Sequence, residues 1–378
     1  MKKKTIIRIF VILFLVILTV LYIFCYKMKN FSFWDWWNSN FISDENLHIL
    51  PSIDDNITAN SMRCWTFQLV WNDMINELIK QDVVFQPQLQ TVENLNKQTF
   101  SKKYLSENSY FAKFWLLTLD LKDEIENGIK EKFDETSDIL DQLDWSNVPQ
   151  SDDYYNFLDE KEYLFYTMLR KIFNFEKAFD QLNKWLFDNK YNDIEYFWIE
   201  SSSSKDLYDQ VYIYYYDSED SFAVALKTKE WEDIVLAIWT QWNSFMEIFD
   251  NILKKWQKYK GEHYFTKYDY LKVPNLKFKT LTEFEDLENQ QFYAANWDVC
   301  DIKKALQTIE FELDKSWWYI KSEAVIVTQD FGALPGYEFE HENRYFYFDK
   351  PFVMFWKESD KDLPYFATQI SDINLFQE

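Results

Sequence analysis

The sequence predicts an α+β fold: large mixed and antiparallel β-sheets with packed helices, preceded by one transmembrane helix. Three observations lead there. From residue 208 onward, aromatic and β-branched runs alternate with short polar turns, the signature of closely spaced strands. Three stretches repeat apolar residues at three- and four-residue spacing, as helices with one buried face do. A long uncharged run stands near the N-terminus. With 378 residues, 47% of them hydrophobic, the chain can build a large core, in one large domain or two small ones.

Residues 9–26 carry no charge and are long enough to cross a bilayer as a helix. Lys2, Lys3, Lys4 and Arg8 precede them and only Lys27 and Lys29 follow. That bias places the N-terminus in the cytoplasm and the body outside. No small residues stand near 21–26 for signal cleavage, so an uncleaved, single-pass anchor over residues 6–26 is expected. The expected division is a cytoplasmic N-terminus and anchor at 1–29, a polar juxtamembrane spacer at 30–61 and a folded domain at 62–378. Phe31, Phe33, Trp34, Trp36 and Trp37 suit either the headgroup level or the start of the folded domain. The spacer holds one Asn-x-Thr sequon, Asn56-Ile57-Thr58.

In the body, Phe67, Val70, Trp71, Met74, Ile75 and Leu78 predict a helix over 64–79, and residues 82–87 a short strand stopped by Pro87. Residues 105–117 are strand-like. Leu121, Ile125, Ile129 and Phe133 predict a second helix, and 146–153 a loop. Between 208 and 238 three strands are separated by the charged turns 217–220 and 229–233, and 245–256 is a third amphipathic helix. Pro351 opens a short strand at 352–356 that is apolar on both faces and therefore buried on both.

Composition narrows the function. Four glycines leave little room for phosphate-cradling loops, which argues against nucleotide enzymes. The first 29 residues carry six positive charges and no negative one, so a net charge of −23 leaves −29 on the rest. Such a body repels nucleic acid. His48, His263 and His341 stand far apart and outside any metal-binding frame, and no Gly-x-Ser-x-Gly elbow exists, so neither a metal, a cofactor nor an enzyme is expected. Cys64 and Cys300 are the one possible internal pair, and spacing does not decide whether they bond. The 17 Trp and 25 Tyr either fill the core or line a sugar or peptide groove.

From Phe346 to Phe355, the order aromatic-x-apolar-Asp349-Lys350-Pro351-Phe352-apolar-apolar resembles the C-terminal signature of serpins, the serine protease inhibitor superfamily. Trp356 is bulkier than that pattern usually admits. Other resemblances keep the same order. Residues 64–87 resemble the first helix and the segment after it, and 162–179 the central strand and its turn, with Thr167 in place of Asn and Phe173 in place of Gly. Residues 208–238 resemble the strand meander, 271–278 a Leu-Pro-x-Phe-Lys strand, and 305–314 with 322–327 the strand that feeds the reactive loop. Residues 365–370 resemble the closing strand, with Thr368 where Gly is usual.

The resemblance implies a divergent, shortened serpin-like domain over 62–378. It makes Thr328, Gln329, Asp330, Phe331, Gly332, Ala333, Leu334, Pro335 and Gly336 the equivalent of the reactive loop, and Lys315, Ser316, Trp317 and Trp318 the equivalent of its hinge. An inhibitory serpin is cut in this loop, which then enters a sheet as a new strand. The family hinge uses Gly, Thr and Ala. Trp317, Trp318 and Tyr319 would overpack a sheet at about 1–3 kcal/mol each. The expectation is a membrane-anchored, non-inhibitory binding or scaffold protein. The alternatives are an active serine or cysteine protease inhibitor using residues 315–344, and a carbohydrate-binding or carbohydrate-active protein.

Overall fold

The computed structural model describes residues 47–52, 55–134, 140, 145–150, 161–238, 244–315 and 342–377. The chain divides into two compact units, Met1–Ile42 and Ser43–Glu378, and every described residue belongs to the second. The anchor expected at residues 6–26 lies outside the described residues. Among those described, no helix is long and apolar enough to cross a membrane.

Three sheets form the second unit. The first has seven strands: β1 (His48–Ile49), β2 (Ser61–Cys64), β7 (Val211–Ser218), β8 (Ser221–Lys227), β9 (Glu232–Ala237), β15 (Phe352–Glu358) and β16 (Phe366–Ile370). They lie in the order β1-β2-β16-β15-β9-β8-β7. The second is built on β3 (Tyr110–Leu116), β4 (Lys161–Ile172), β11 (Leu276–Glu283) and β13 (Val299–Leu313), ordered β11-β13-β4-β3, with β12 (Gln291–Tyr293) also on β13. The third orders β14 (Arg344–Tyr347), β10 (Asp269–Pro274), β6 (Tyr191–Ile199) and β5 (Asp180–Phe187) side by side.

Helices cover both faces of the five-stranded sheet. Helix α1 (Thr66–Asp73) runs on as one π-type stretch, Met74–Ile79. With α2 (Gln90–Asn96) it buries Phe67, Val70 and Trp71 against Tyr163, Phe165 and Ile302. On the other face α3 (Leu119–Phe133) sets Leu121, Ile125 and Ile129 on Leu164, Tyr166, Met168 and Leu306. Odd-numbered β4 residues thus meet α1 and even-numbered ones meet α3, as a period of two requires. This is why 163–169 reads as an almost unbroken apolar run. Thr118 caps α3 by accepting the Leu121 N–H at 3.2 Å. Gly128 lets α3 lie against Phe111, where a Cβ would collide with the ring. Helix α4 (Phe245–Lys258), capped by Ser244, packs Phe245 and Phe249 on Phe355 of β15.

Three expectations need correcting. Residues 82–87 form no strand: the Val83 N–H and C=O are bonded by the Asn96 side chain at 3.3 and 2.8 Å, and the Phe85 N–H by Gln88 at 2.8 Å. Side chains satisfy the backbone that a sheet partner would otherwise take. The run 271–278 is two strands in two sheets. Pro274 ends β10 without an N–H to donate, the Asn275 N–H bonds Glu195 O at 2.8 Å, and β11 departs from there to join β13. The helix placed at 64–79 starts later, because Cys64 closes β2. The three strands between 208 and 238, the helices at 121–133 and 245–256, and the buried strand at 352–356 stand where they were expected.

Candidate functional site

The candidate site is the frame that carries the segment between β13 and β14. The loop equivalents Thr328 to Gly336 and the hinge equivalents Ser316, Trp317 and Trp318 lie outside the described residues. Lys315 is exposed at the end of the incoming stem. The strand leading into the segment, the strand leaving it and the sheet it would have to enter are all described.

The incoming stem is held by rings. Phe311, 1% exposed, meets Trp356 edge-on at 4.7 Å, Phe366 at 5.6 Å and Phe278 at 5.5 Å. Trp356 stacks on Phe366 at 3.7 Å and meets Phe173 edge-on at 4.8 Å. Phe173 and Trp356, two departures from the family pattern, therefore touch each other. The ring at 173 takes up space beside the indole, so the two are linked by packing.

Next to these rings lies a buried ion pair. Lys171, at the end of β4, contacts Glu232, at the start of β9, and also donates to Ser109 Oγ at 3.0 Å. The Tyr365 hydroxyl donates to Glu232 at 2.8 Å. Burial pushes the Glu232 carboxyl above the usual carboxylate range, against the opposing pull of Lys171 and Tyr365. Glu358 accepts the Ser106 N–H at 2.8 Å and its hydroxyl at 2.7 Å. Residues from four separate parts of the chain thus fix the end of β4.

A loop strand turning back from β13 would run antiparallel to it. β11 already occupies one side of β13, antiparallel, so a new strand beside β13 with antiparallel neighbours on both sides would lie between β13 and β4. That seam is the parallel one. It is paired from Cys300↔Lys161 to Glu312↔Ile172, with one irregularity between Ile302 and Lys304. Parallel pairing is slightly weaker per residue than antiparallel, and a strand inserted there would make the whole sheet antiparallel. Against this, the seam is clasped. Gln307 of β13, fully buried, donates across it to Thr167 Oγ1 at 3.2 Å, and to Thr66 Oγ1 at 3.0 Å and Cys64 O at 3.3 Å. Lys303–Glu162 at 3.0 Å and Arg170–Glu310 at 4.0 Å bridge the same two strands elsewhere along their length.

The outgoing stem is riveted at Arg344. Its guanidinium grips Asp269, 2% exposed, at 2.7 and 2.9 Å and donates to the Tyr259 hydroxyl at 3.0 Å and Glu262 O at 2.9 Å. A forked cation on a buried carboxylate is a strong, directional bond. Beyond β14 come the signature residues. Asp349 accepts from the Lys272 ammonium at 2.6 Å, and Lys272, 4% exposed, lies over the rings of Tyr347, Trp185 and Tyr196 at 4.3, 5.0 and 5.8 Å. Burial raises the Tyr347 hydroxyl to about 12. Lys350 donates to Asp220 at 2.5 Å and Glu219 O at 3.1 Å. Phe352 enters β15 with its ring 5.3 Å from Phe348 and 6.3 Å from Phe187. Asp349, Lys350, Pro351 and Phe352 therefore join the four-stranded sheet to the seven-stranded one.

Gln307, Lys171, Glu232, Lys272 and Arg344 escaped sequence reading. Their only signal was a polar residue within or beside an apolar strand run. Cys64 and Cys300 are free, buried thiols, with burial raising Cys64 to about 11. His263 stacks on Tyr212 and holds Ile213 O at 2.7 Å. Among the described residues no group of His, Cys, Asp and Glu could hold a metal ion.

No family model matches the sequence, and no curated protein does. Serpins are among the solved structures that match. Tengpin, a thermophilic serpin in its native state, is 12% identical, with 85% of this chain and 90% of that one covered at a TM-score of 0.49. Uncleaved ovalbumin is 10% identical, with 84% and 93% covered at 0.45. Serpin48 of the insect Tenebrio molitor is 11% identical, with 68% and 65% covered at 0.39. The match thus spans just under two thirds of the length of Serpin48.

Proposed function

We propose that this chain is a membrane-tethered, extracytoplasmic protein of serpin-like fold. Residues 315–344 act as a recognition surface for a protein partner and do not enter the sheet when cut. It binds or scaffolds, and it is not an enzyme. One observation carries the reading: the β4–β13 seam is paired along its length and clasped by Gln307. The bulky residues Trp317, Trp318 and Tyr319 at the hinge equivalent add to it, since each would have to pass between packed neighbours. Tethering draws on the uncharged run at 9–26 and on the four-against-two distribution of Lys and Arg around it.

The rival reading is an active protease inhibitor. It draws on the same seam, which is parallel and would gain antiparallel pairing from an inserted strand. Incubation with a panel of serine and cysteine proteases separates the two. The proposal expects cleavage between Thr328 and Gly336, turnover of the chain as a substrate, and no adduct surviving SDS. A stable one-to-one covalent adduct with any protease would overturn it. Proteolysis of intact and opened membrane vesicles tests the topology: the body should be digested on the outer side and the N-terminus protected.

A further inference from the structure

An aromatic cleft of about 430 Å³ lies between α4 and the neighbouring strands, apart from the loop stems. Tyr212 and Tyr214 of β7 and Phe249 and Trp256 of α4 are among its walls, Ala225 of β8 contributes a small side chain, and Lys227 stands at its rim. Trp256 is 37% exposed, and its indole N–H is fixed by the Tyr212 hydroxyl at 3.0 Å, so the ring is both accessible and held in place. Tyr212 is in turn stacked on His263 with an 8° angle between the planes. Tyr214 meets Tyr212 edge-on at 5.6 Å, and its hydroxyl has no hydrogen-bond partner among the described residues.

The charge around this cleft is balanced, with three lysines against three aspartates. Two of those pairs are closed on themselves, Lys357–Asp233 at 3.4 Å and Lys361–Asp360 at 2.9 Å. The lining therefore offers no excess of either charge to hold an anion or a cation. Two other clefts, of about 580 Å³ beside Phe284 and about 390 Å³ beside Asn275, have no exposed aromatic wall.

A fixed ring, an unpaired hydroxyl and a neutral, polar rim suit a ligand with one apolar face and hydroxyls around its edge. We propose that the cleft binds a neutral pyranose sugar, its C–H face on Trp256 and its hydroxyls toward Tyr214, Lys227 and Asp362. The proposal does not rest on how residues 315–344 act.

The test uses the full-length chain in a zwitterionic detergent that contains no sugar. Cellotriose, chitotriose, maltotriose and mannotriose serve as probes in calorimetric titration and ligand-observed NMR saturation transfer, with dodecanoate as an anionic, apolar control. At least one trisaccharide should bind saturably. Trp256→Ala should weaken it by about tenfold or more. Tyr214→Phe keeps the ring and the packing, and should weaken it by about threefold or more with an unchanged melting curve. Failure of all four sugars to bind, sugar binding that survives both substitutions undiminished, or binding of dodecanoate alone would each overturn the proposal.

Discussion

Lys272 shows how a signature residue is used. Its ammonium sits 4% exposed among three rings, and Asp349 is the carboxylate that balances it. Removing Asp349 leaves a buried charge without its counterion. Asp349→Ala should therefore cost about 3 kcal/mol, measured by urea denaturation. Asp349→Asn, which can still accept a hydrogen bond, should cost less. Glu232 makes a pH prediction. Its carboxyl titrates above the usual carboxylate range in the folded chain because burial outweighs Lys171 and Tyr365. The folded state thus holds a proton that the unfolded state has already released. The stability this contributes is full below about pH 4.5 and is lost as pH rises through the folded value. Denaturation midpoints measured upward from pH 4.5 should fall in the wild type relative to Glu232→Gln. A wild-type slope no steeper than the variant's would contradict the assignment. Trp231 is 82% exposed with φ 61°, a left-handed turn position that disfavours bulky residues. Trp231→Gly should raise stability by about 1 kcal/mol, read from the same curves.

Among elements, the parallel pair β4–β13 decides whether the segment after β13 can join the sheet. Its clasp is a buried amide reaching a neighbouring strand and the helix beneath. Gln307→Ala removes that clasp and opens a cavity, and should cost about 2–4 kcal/mol. Amide exchange in both β4 and β13 should quicken together in that variant, while exchange in β7 and β8 should hold. A change confined to β13 would mean that Gln307 does not couple the strands. The elements also differ in how readable they were. The strands β7, β8 and β9 are unbroken aromatic or apolar runs, such as Phe222–Leu226 and Ile234–Ala237, set between charged turns, so their bounds survive in the sequence. The β5–β6 hairpin went unforeseen because its register shifts twice, at Leu182/Trp185 and Trp185/Phe187, which breaks the period of two. The strand over 271–278 looked continuous because only one residue, Asn275, separates β10 from β11.

At the level of the molecule, three sheets meet where the chain enters and leaves the segment between β13 and β14. The signature at 349–352 was legible because it is local. The parts that govern the segment were not, because each joins residues far apart: Lys171 with Glu232, Phe173 with Trp356, Arg344 with Asp269, Gln307 with Thr66 and Thr167. Sequence shows such residues only as isolated polar or oversized positions, and contact in the fold is what gives them a role. The bulky residues Trp317 and Trp318 are a sequence observation and the clasped seam a structural one, and both support the proposal that the segment stays outside the sheet.

Thermal melting of the chain before and after a single cut between Thr328 and Gly336 tests this most directly. A segment that stays outside the sheet adds no strand pairing, so the melting temperature should move by no more than about 3 °C. A rise of about 20 °C or more after the cut would mean that the segment has entered between β4 and β13, and would contradict the proposed function.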